Sequence, residues 1–167
     1  ARVTKFSFTK FGGKIPINNE FGELEKKTIE EIGKHYNSYN YFLSKIEIRK
    51  ASQELRNIWV IGNEYLQKSQ PWVMFKNDEN KTRMIIRFSF NLIYFYSLIS
   101  EPFIPSTCKK LTRHFGFTKK SKWPKNLNFL LENVNYDKDM TPPDILFPKI
   151  TDQEKEIFKQ KYSGLNY

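Results

Sequence analysis

The run NDENKTRMIIRFSFNLIYFYSLISEPF, residues 77–103, restricts the fold more than any other part of the chain. Met84, Phe88, Leu92, Phe95 and Ile99 recur at helical steps of three and four. Aromatic side chains nearly surround the same helix, and a helix apolar on most sides sits at the centre of its bundle. No apolar run reaches the roughly 18 residues of a membrane span, so its neighbours are other helices. Pro102 and Pro105 then break the run.

The flanking sequence provides those helices. ARVTKFSFTKF places Val3, Phe6 and Phe11 on one face and stops at Gly12-Gly13 and Pro16. No Ser, Asp or Asn precedes Arg2 to cap it, so the segment reads as the second half of a helix that starts earlier. Asn18-Asn19 could cap a second helix with Glu20 and Glu23 in its first turn, and Phe21, Leu24, Thr28, Ile32, Tyr36, Tyr39 and Leu43 form its apolar stripe. A third runs from about Ile46 to Ser69, with Ile48, Ala51, Leu55, Ile58, Gly62, Tyr65 and Leu66 inward. Pro71 closes it, because the residue before a proline is pushed out of helical geometry. A short helix to about Phe115 turns Ile104, Cys108, Leu111 and Phe115 inward. After an irregular stretch, Thr151 and Glu154 make a capping box for a last helix to about Tyr162. The expected architecture is all-α: a bundle of about five helices over residues 1–115, then 116–167 as an irregular segment and a C-terminal helix packing back on the same domain.

The 167 residues suit one domain. Lys and Arg number 28 against 18 Asp and Glu, a formal charge of +10, which points to a polyanionic partner. One cysteine excludes an internal disulfide framework and suits a reducing compartment. His35 and His114 lie far apart without Cys or His at ligand spacing, which argues against a zinc site. Gly-rich phosphate loops and Gly-x-Ser-x-Gly elbows are missing, and the acids of 20–31 read as a solvated helix face. Nothing here points to catalysis.

Binding is another matter. Between Pro102 and Leu131 there is no acid, yet Lys109, Lys110, Arg113, Lys119, Lys120, Lys122 and Lys125 occur. The first nineteen residues carry Arg2, Lys5, Lys10 and Lys14 and again no acid. Such segments suit a phosphate backbone, although lysine-rich faces are also simply solvated. Trp72, held in a corner by Pro71, can stack a base for about 1–3 kcal/mol or can plug the end of the bundle.

GNEYLQKSQPW resembles the signature of the anticodon-binding domain of methionyl-tRNA synthetase, Asn-x-Tyr-hydrophobic, four residues, Pro-Trp. RVTKFSFTKFGGKIP is similar to that family's Arg-containing first helix ending in Phe-x-Gly-Lys-x-Pro, and ISEPFIPSTCKKL to its Pro-hydrophobic-x-Pro helix start. LFPKITDQEKEIFKQKYSG resembles the tail of eukaryotic and archaeal members. The resemblance implies the class I synthetase anticodon-binding fold and a place in a methionine–tRNA ligase, with the catalytic domain N-terminal. The His-Ile-Gly-His and Lys-Met-Ser-Lys-Ser motifs that serve ATP and Mg in such a parent are absent, so no catalytic residue and no cofactor is expected in this chain. It implies further that Arg2 and Trp72 read the first base of a CAU anticodon in tRNA(Met), with Asn63 and Gln67 as polar contacts. Lys109, Lys110, Arg113, Lys119, Lys120 and Lys122 would meet the RNA backbone. The family's asparagine one turn before the arginine is not in this sequence. The expected location is cytoplasmic. Two other readings stay open on the residues: a stand-alone basic RNA-binding bundle, and the anticodon domain of a sibling class I synthetase for valine, isoleucine or leucine.

Overall fold

The computed structural model describes residues 2–18, 20–116, 123–132 and 146–164. Helices occupy Arg2–Phe11 (α1), Glu23–Ser44 (α2), Ile48–Ser69 (α3), Pro71–Met74 (α4), Glu79–Ile99 (α5), Pro105–Phe115 (α6) and Asp152–Tyr162 (α7), with one 3-10 turn at Asn128–Leu131. No strand occurs among the described residues. The five longer helices before residue 116 form the expected bundle.

α5 is the central helix, as its all-round apolar sequence requires. Its Ile85, Phe88, Leu92, Phe95 and Ile99 enter the main core with Ile32, Tyr36 and Tyr39 of α2 and Leu55, Ile58 and Tyr65 of α3. Ile86 and Phe90, on another side, build a second core with Val3 of α1, Leu66 of α3 and Phe115 of α6. One helix therefore separates two apolar layers. Asn91 is a buried polar exception on α5, and its amide donates to the carbonyls of Leu130 (2.9 Å) and Glu132 (2.8 Å). That fixes the 3-10 turn against the bundle, with Leu127 and Leu130 inside the main core. Arg87 is likewise buried and holds the loop after α1 by donating to the carbonyls of Pro16 and Ile15.

Three expectations need correcting. α2 begins at Glu23, not at Asn18-Asn19, and its N-cap is Gly22. The physical reason is Glu25, whose carboxylate accepts the Gly22 N–H (3.0 Å) and the Tyr65 hydroxyl (2.6 Å). Glu25 is only 1% exposed, so the acids of 20–31 are not uniformly a solvated face. Third, two residues assigned to apolar stripes face solvent: Leu24 of α2, and Ile48, the first residue of α3, whose inward stripe starts one turn later at Ala51. α7 has the expected capping box: Thr151 Oγ1 accepts from the Glu154 N–H (3.2 Å) and Glu154 Oε2 accepts from the Thr151 N–H (2.8 Å). None of its residues is buried.

Candidate nucleic-acid interface

Trp72 does not sit in a loop. The Gln70 N–H donates to the Leu66 carbonyl and ends α3, while the Gln70 carbonyl accepts from Val73 N–H and Met74 N–H and starts α4. Gln70 adopts φ 41° and ψ 62°, the left-handed region, and so turns the chain sharply between two helices without a spacer. Proline suits the next position because its missing N–H is not needed at the first residue of a helix. Pro71 is buried, and Trp72 emerges beside it with 37% of its surface exposed. That exposure leaves indole area available for stacking; a sealed plug would have none.

Aromatic packing brings this turn to α1. Phe75 meets Phe6 (5.9 Å between ring centroids) and Phe11 (5.8 Å) edge-on, and Phe6 meets Phe11 at 6.4 Å. Lys10 and Arg83 extend cations over the outer rings of this cluster, Phe75 and Phe11. With α1 and α4 bolted together, the guanidinium carbon of Arg2 lies 5.7 Å from the centroid of the Trp72 ring. The contact is a cation–π pair, attractive because the indole face is electron-rich.

Arg2 also stands at the edge of a groove of about 670 Å³ between α1, α3, α5 and α6. Asn63, Leu66, Tyr96 and Cys108 are among its walls. Of the residues singled out in the sequence, Arg2, Trp72 and Asn63 are thus grouped, two by direct contact and the third by the shared groove. Gln67, one turn after Asn63, is exposed. Lys109, Lys110 and Arg113 are exposed on α6, whose Thr107, Cys108 and Leu111 face the groove. Lys119, Lys120 and Lys122 lie outside the described residues. Cys108 is buried, and burial pushes its thiol up to about 11. It is a neutral core residue at neutral pH. Among the described residues no group of His, Cys, Asp and Glu could hold a metal ion, and no helix is long and apolar enough to cross a membrane.

Sequence reasoning did not find Phe75 or Gln70, which set where Trp72 stands. Phe75 carried the signal of an aromatic three residues past Pro-Trp, but its partners on α1 are about seventy residues away in the chain. The left-handed turn at Gln70 had no signal, since glutamine is not a residue that favours it.

A basic helical bundle with an exposed indole and a guanidinium side by side has the make-up of an RNA-recognition domain. Comparison with known proteins specifies it. A family model described as the anticodon binding domain of methionyl tRNA ligase matches residues 15–167. A methionine–tRNA ligase of Cereibacter sphaeroides (strain ATCC 17025) is 40% identical over 165 residues, 99% of this chain and 29% of the relative. One from Ruegeria sp. (strain TM1040) is 37% identical over 164 residues, 98% of this chain and 28% of the relative. The fold is shared with methionyl-tRNA synthetase of Mycobacterium tuberculosis, in the apo form (TM-score 0.73, 15% identity, 88% of this chain and 30% of that one) and bound by methionyl-adenylate (TM-score 0.74, 15% identity, 88% and 29%). The chain belongs to the family of methionyl-tRNA ligase anticodon-binding domains. It spans under a third of the length of the curated relatives named here. Those relatives are bacterial, whereas the tail resembled eukaryotic and archaeal members.

Proposed function

We propose that this chain selects tRNA(Met) by its CAU anticodon on behalf of a longer methionine–tRNA ligase. The parent enzyme would activate methionine with ATP and Mg in a catalytic domain joined to this one, in the cytoplasm. The single observation that supports the reading is the Arg2 guanidinium 5.7 Å from the ring centroid of the partly exposed Trp72. Cytosine offers acceptors at N3 and O2, which match the paired N–H donors of a guanidinium. Uracil places an N–H donor at N3 and would oppose donor with donor. Trp72 holds the unpaired base by stacking, and Arg2 discriminates, by about 1–3 kcal/mol for a good bidentate contact. Asn63 and Gln67 add polar contacts from α3. Lys109, Lys110, Arg113, Lys119, Lys120 and Lys122 neutralise the backbone. The packing of residues 116–167 back on the bundle of residues 1–115 belongs to the same proposal, and the 3-10 turn anchored on α5 through Asn91 supports it.

The test is binding of anticodon stem-loops. Trp72→Ala and Arg2→Gln are each expected to weaken a CAU stem-loop by ten-fold or more, and Arg2→Gln to reduce the preference for C over U at the first position. Unchanged binding in both variants overturns the site. Lys109→Ala and Lys110→Ala are expected to weaken all stem-loops alike and to flatten the dependence on salt.

A further inference from the structure

Arg2, Lys5 and Phe8 are all exposed and follow one another at three-residue steps, as neighbours along one ridge of α1. The rest of the helix is spent on packing. Val3, Thr4 and Ser7 are buried, and Phe6 and Phe11 close edge-on around Phe75. Phe8 belongs to neither apolar core and, at 45% exposed, keeps much of its ring in water. Thr9 beside it donates its hydroxyl to the Lys5 carbonyl (2.9 Å) and is satisfied within the helix. α1 holds no acid, so neither cation of the ridge has a carboxylate partner on its own helix. A single exposed phenylalanine is ordinary on a protein surface. Phe8 differs by its place, on the ridge that starts at the residue facing Trp72.

We propose that Phe8 is a second stacking platform, which takes the unpaired nucleotide next to the one stacked on Trp72, with Lys5 on the phosphate between them. The proposal rests on the reading above that this face binds an anticodon loop. Spacing supports it. At 1.5 Å per residue, Arg2 and Phe8 stand about 9 Å apart along the helix, against about 3.4 Å between successive stacked bases of a duplex strand. Two bases held that far apart are splayed, which is the form in which proteins read single-stranded loops. Composition selects RNA over a protein partner. The cores of protein–protein interfaces are depleted in lysine, whereas single strands are held by cations with aromatic platforms between them. Charge agrees, since the chain carries a formal +10 and the ridge has no acid to oppose a phosphate. Continuity completes the case: a strand leaving the Arg2–Trp72 pair meets Lys5 one turn further along α1. Every base has a flat face, so Phe8 adds affinity and fixes the strand's path, and discrimination stays with Arg2.

The test is equilibrium binding of the full-length protein to CAU stem-loops, intact or with an abasic residue directly 5′ or directly 3′ of the first anticodon base. Phe8 lies outside both cores, so its variants keep the fold. On the intact loop, Phe8→Ala should weaken binding about five-fold or more, and Phe8→Trp should preserve it. Phe8→Leu, apolar but without a flat ring, should lose as much as alanine. On one of the two abasic loops Phe8→Ala should bind as well as the wild type, because the base it stacks is already gone, and that loop identifies the neighbour. Lys5→Ala should make the log–log salt dependence shallower by about 0.7, the share of one single-strand phosphate. Unchanged affinity in Phe8→Ala, full affinity in Phe8→Leu, or a Phe8→Ala loss undiminished on both abasic loops would each overturn the platform. A wild type indifferent to the first anticodon base, with Phe8→Ala still weakening every loop, would instead strike the anticodon reading and leave the platform standing.

Discussion

At the scale of single residues, the Tyr65–Glu25 pair shows how one buried contact fixes a helix start. The carboxylate is almost entirely removed from water and holds two donors, one from its own helix cap and one from α3. Tyr65→Phe deletes one donor and leaves the charge buried, so stability should fall by about 1.5–3 kcal/mol, a cost typical of hydrogen bonds to charged groups. Chemical denaturation measures it, and a loss below half a kilocalorie would mean the carboxylate finds water instead. Ile46 makes the opposite case. It lies within the α2–α3 turn at φ 60°, 80% exposed, with no packing to compensate a β-branched residue in the left-handed region. Ile46→Gly should raise stability by about 1 kcal/mol, since strain of this kind costs about 1–3 kcal/mol and glycine relieves it.

Between elements, the contact that decides the site's shape is the approach of α5 to α3 at Gly62. A Cβ there would lie 1.8 Å from the Tyr96 hydroxyl and 3.0 Å from its ring carbon Cζ. Tyr96 fills the space a side chain would take and donates to the Ile58 carbonyl at 3.3 Å. Gly62→Ala therefore overpacks a wall shared with Asn63, and should cost about 1–3 kcal/mol. Adding Tyr96→Phe removes the oxygen and should recover part of that loss, so the two changes should be non-additive in thermal melts. Additive losses would show that the strain is taken up elsewhere. The periodicity of α3 identified Gly62 as inward; that it faces a tyrosine from α5 could not be read from α3 alone.

For the molecule as a whole, burial of ionisable groups sets the alkaline limit. Burial raises the phenols of Tyr39, Tyr65 and Tyr96, the negative charge of Glu25 adds to the effect at Tyr65, and the Cys108 thiol rises to about 11 from an ordinary value near 9. All four keep their protons in the folded state at a pH where the unfolded chain loses them. Their contribution is complete below about pH 9 and is lost as the pH climbs through 9 to 11 and beyond. The denaturation midpoint should therefore be lower at pH 10.5 than at pH 8, with tyrosinate absorbance rising together with unfolding. Tyrosines that titrate well before the fold is lost would contradict their burial. The proposed RNA binding should follow a different variable, ionic strength, because the formal charge of +10 acts through screened contacts.

The residue pattern alone determined the longer helices, apart from the start of α2, the central place of α5 and the pairing of a basic surface with a post-proline tryptophan, because helical period, proline and charge are local properties of the chain. Tertiary structure decided whether that tryptophan faces water and which cation stands beside it. The reason is that Trp72 is placed by Phe75 against Phe6 and Phe11, a contact across about seventy residues that local periodicity does not encode. Glu25 was misread on the same ground: an acid in the first turn of a helix is solvated until a tyrosine from another helix covers it.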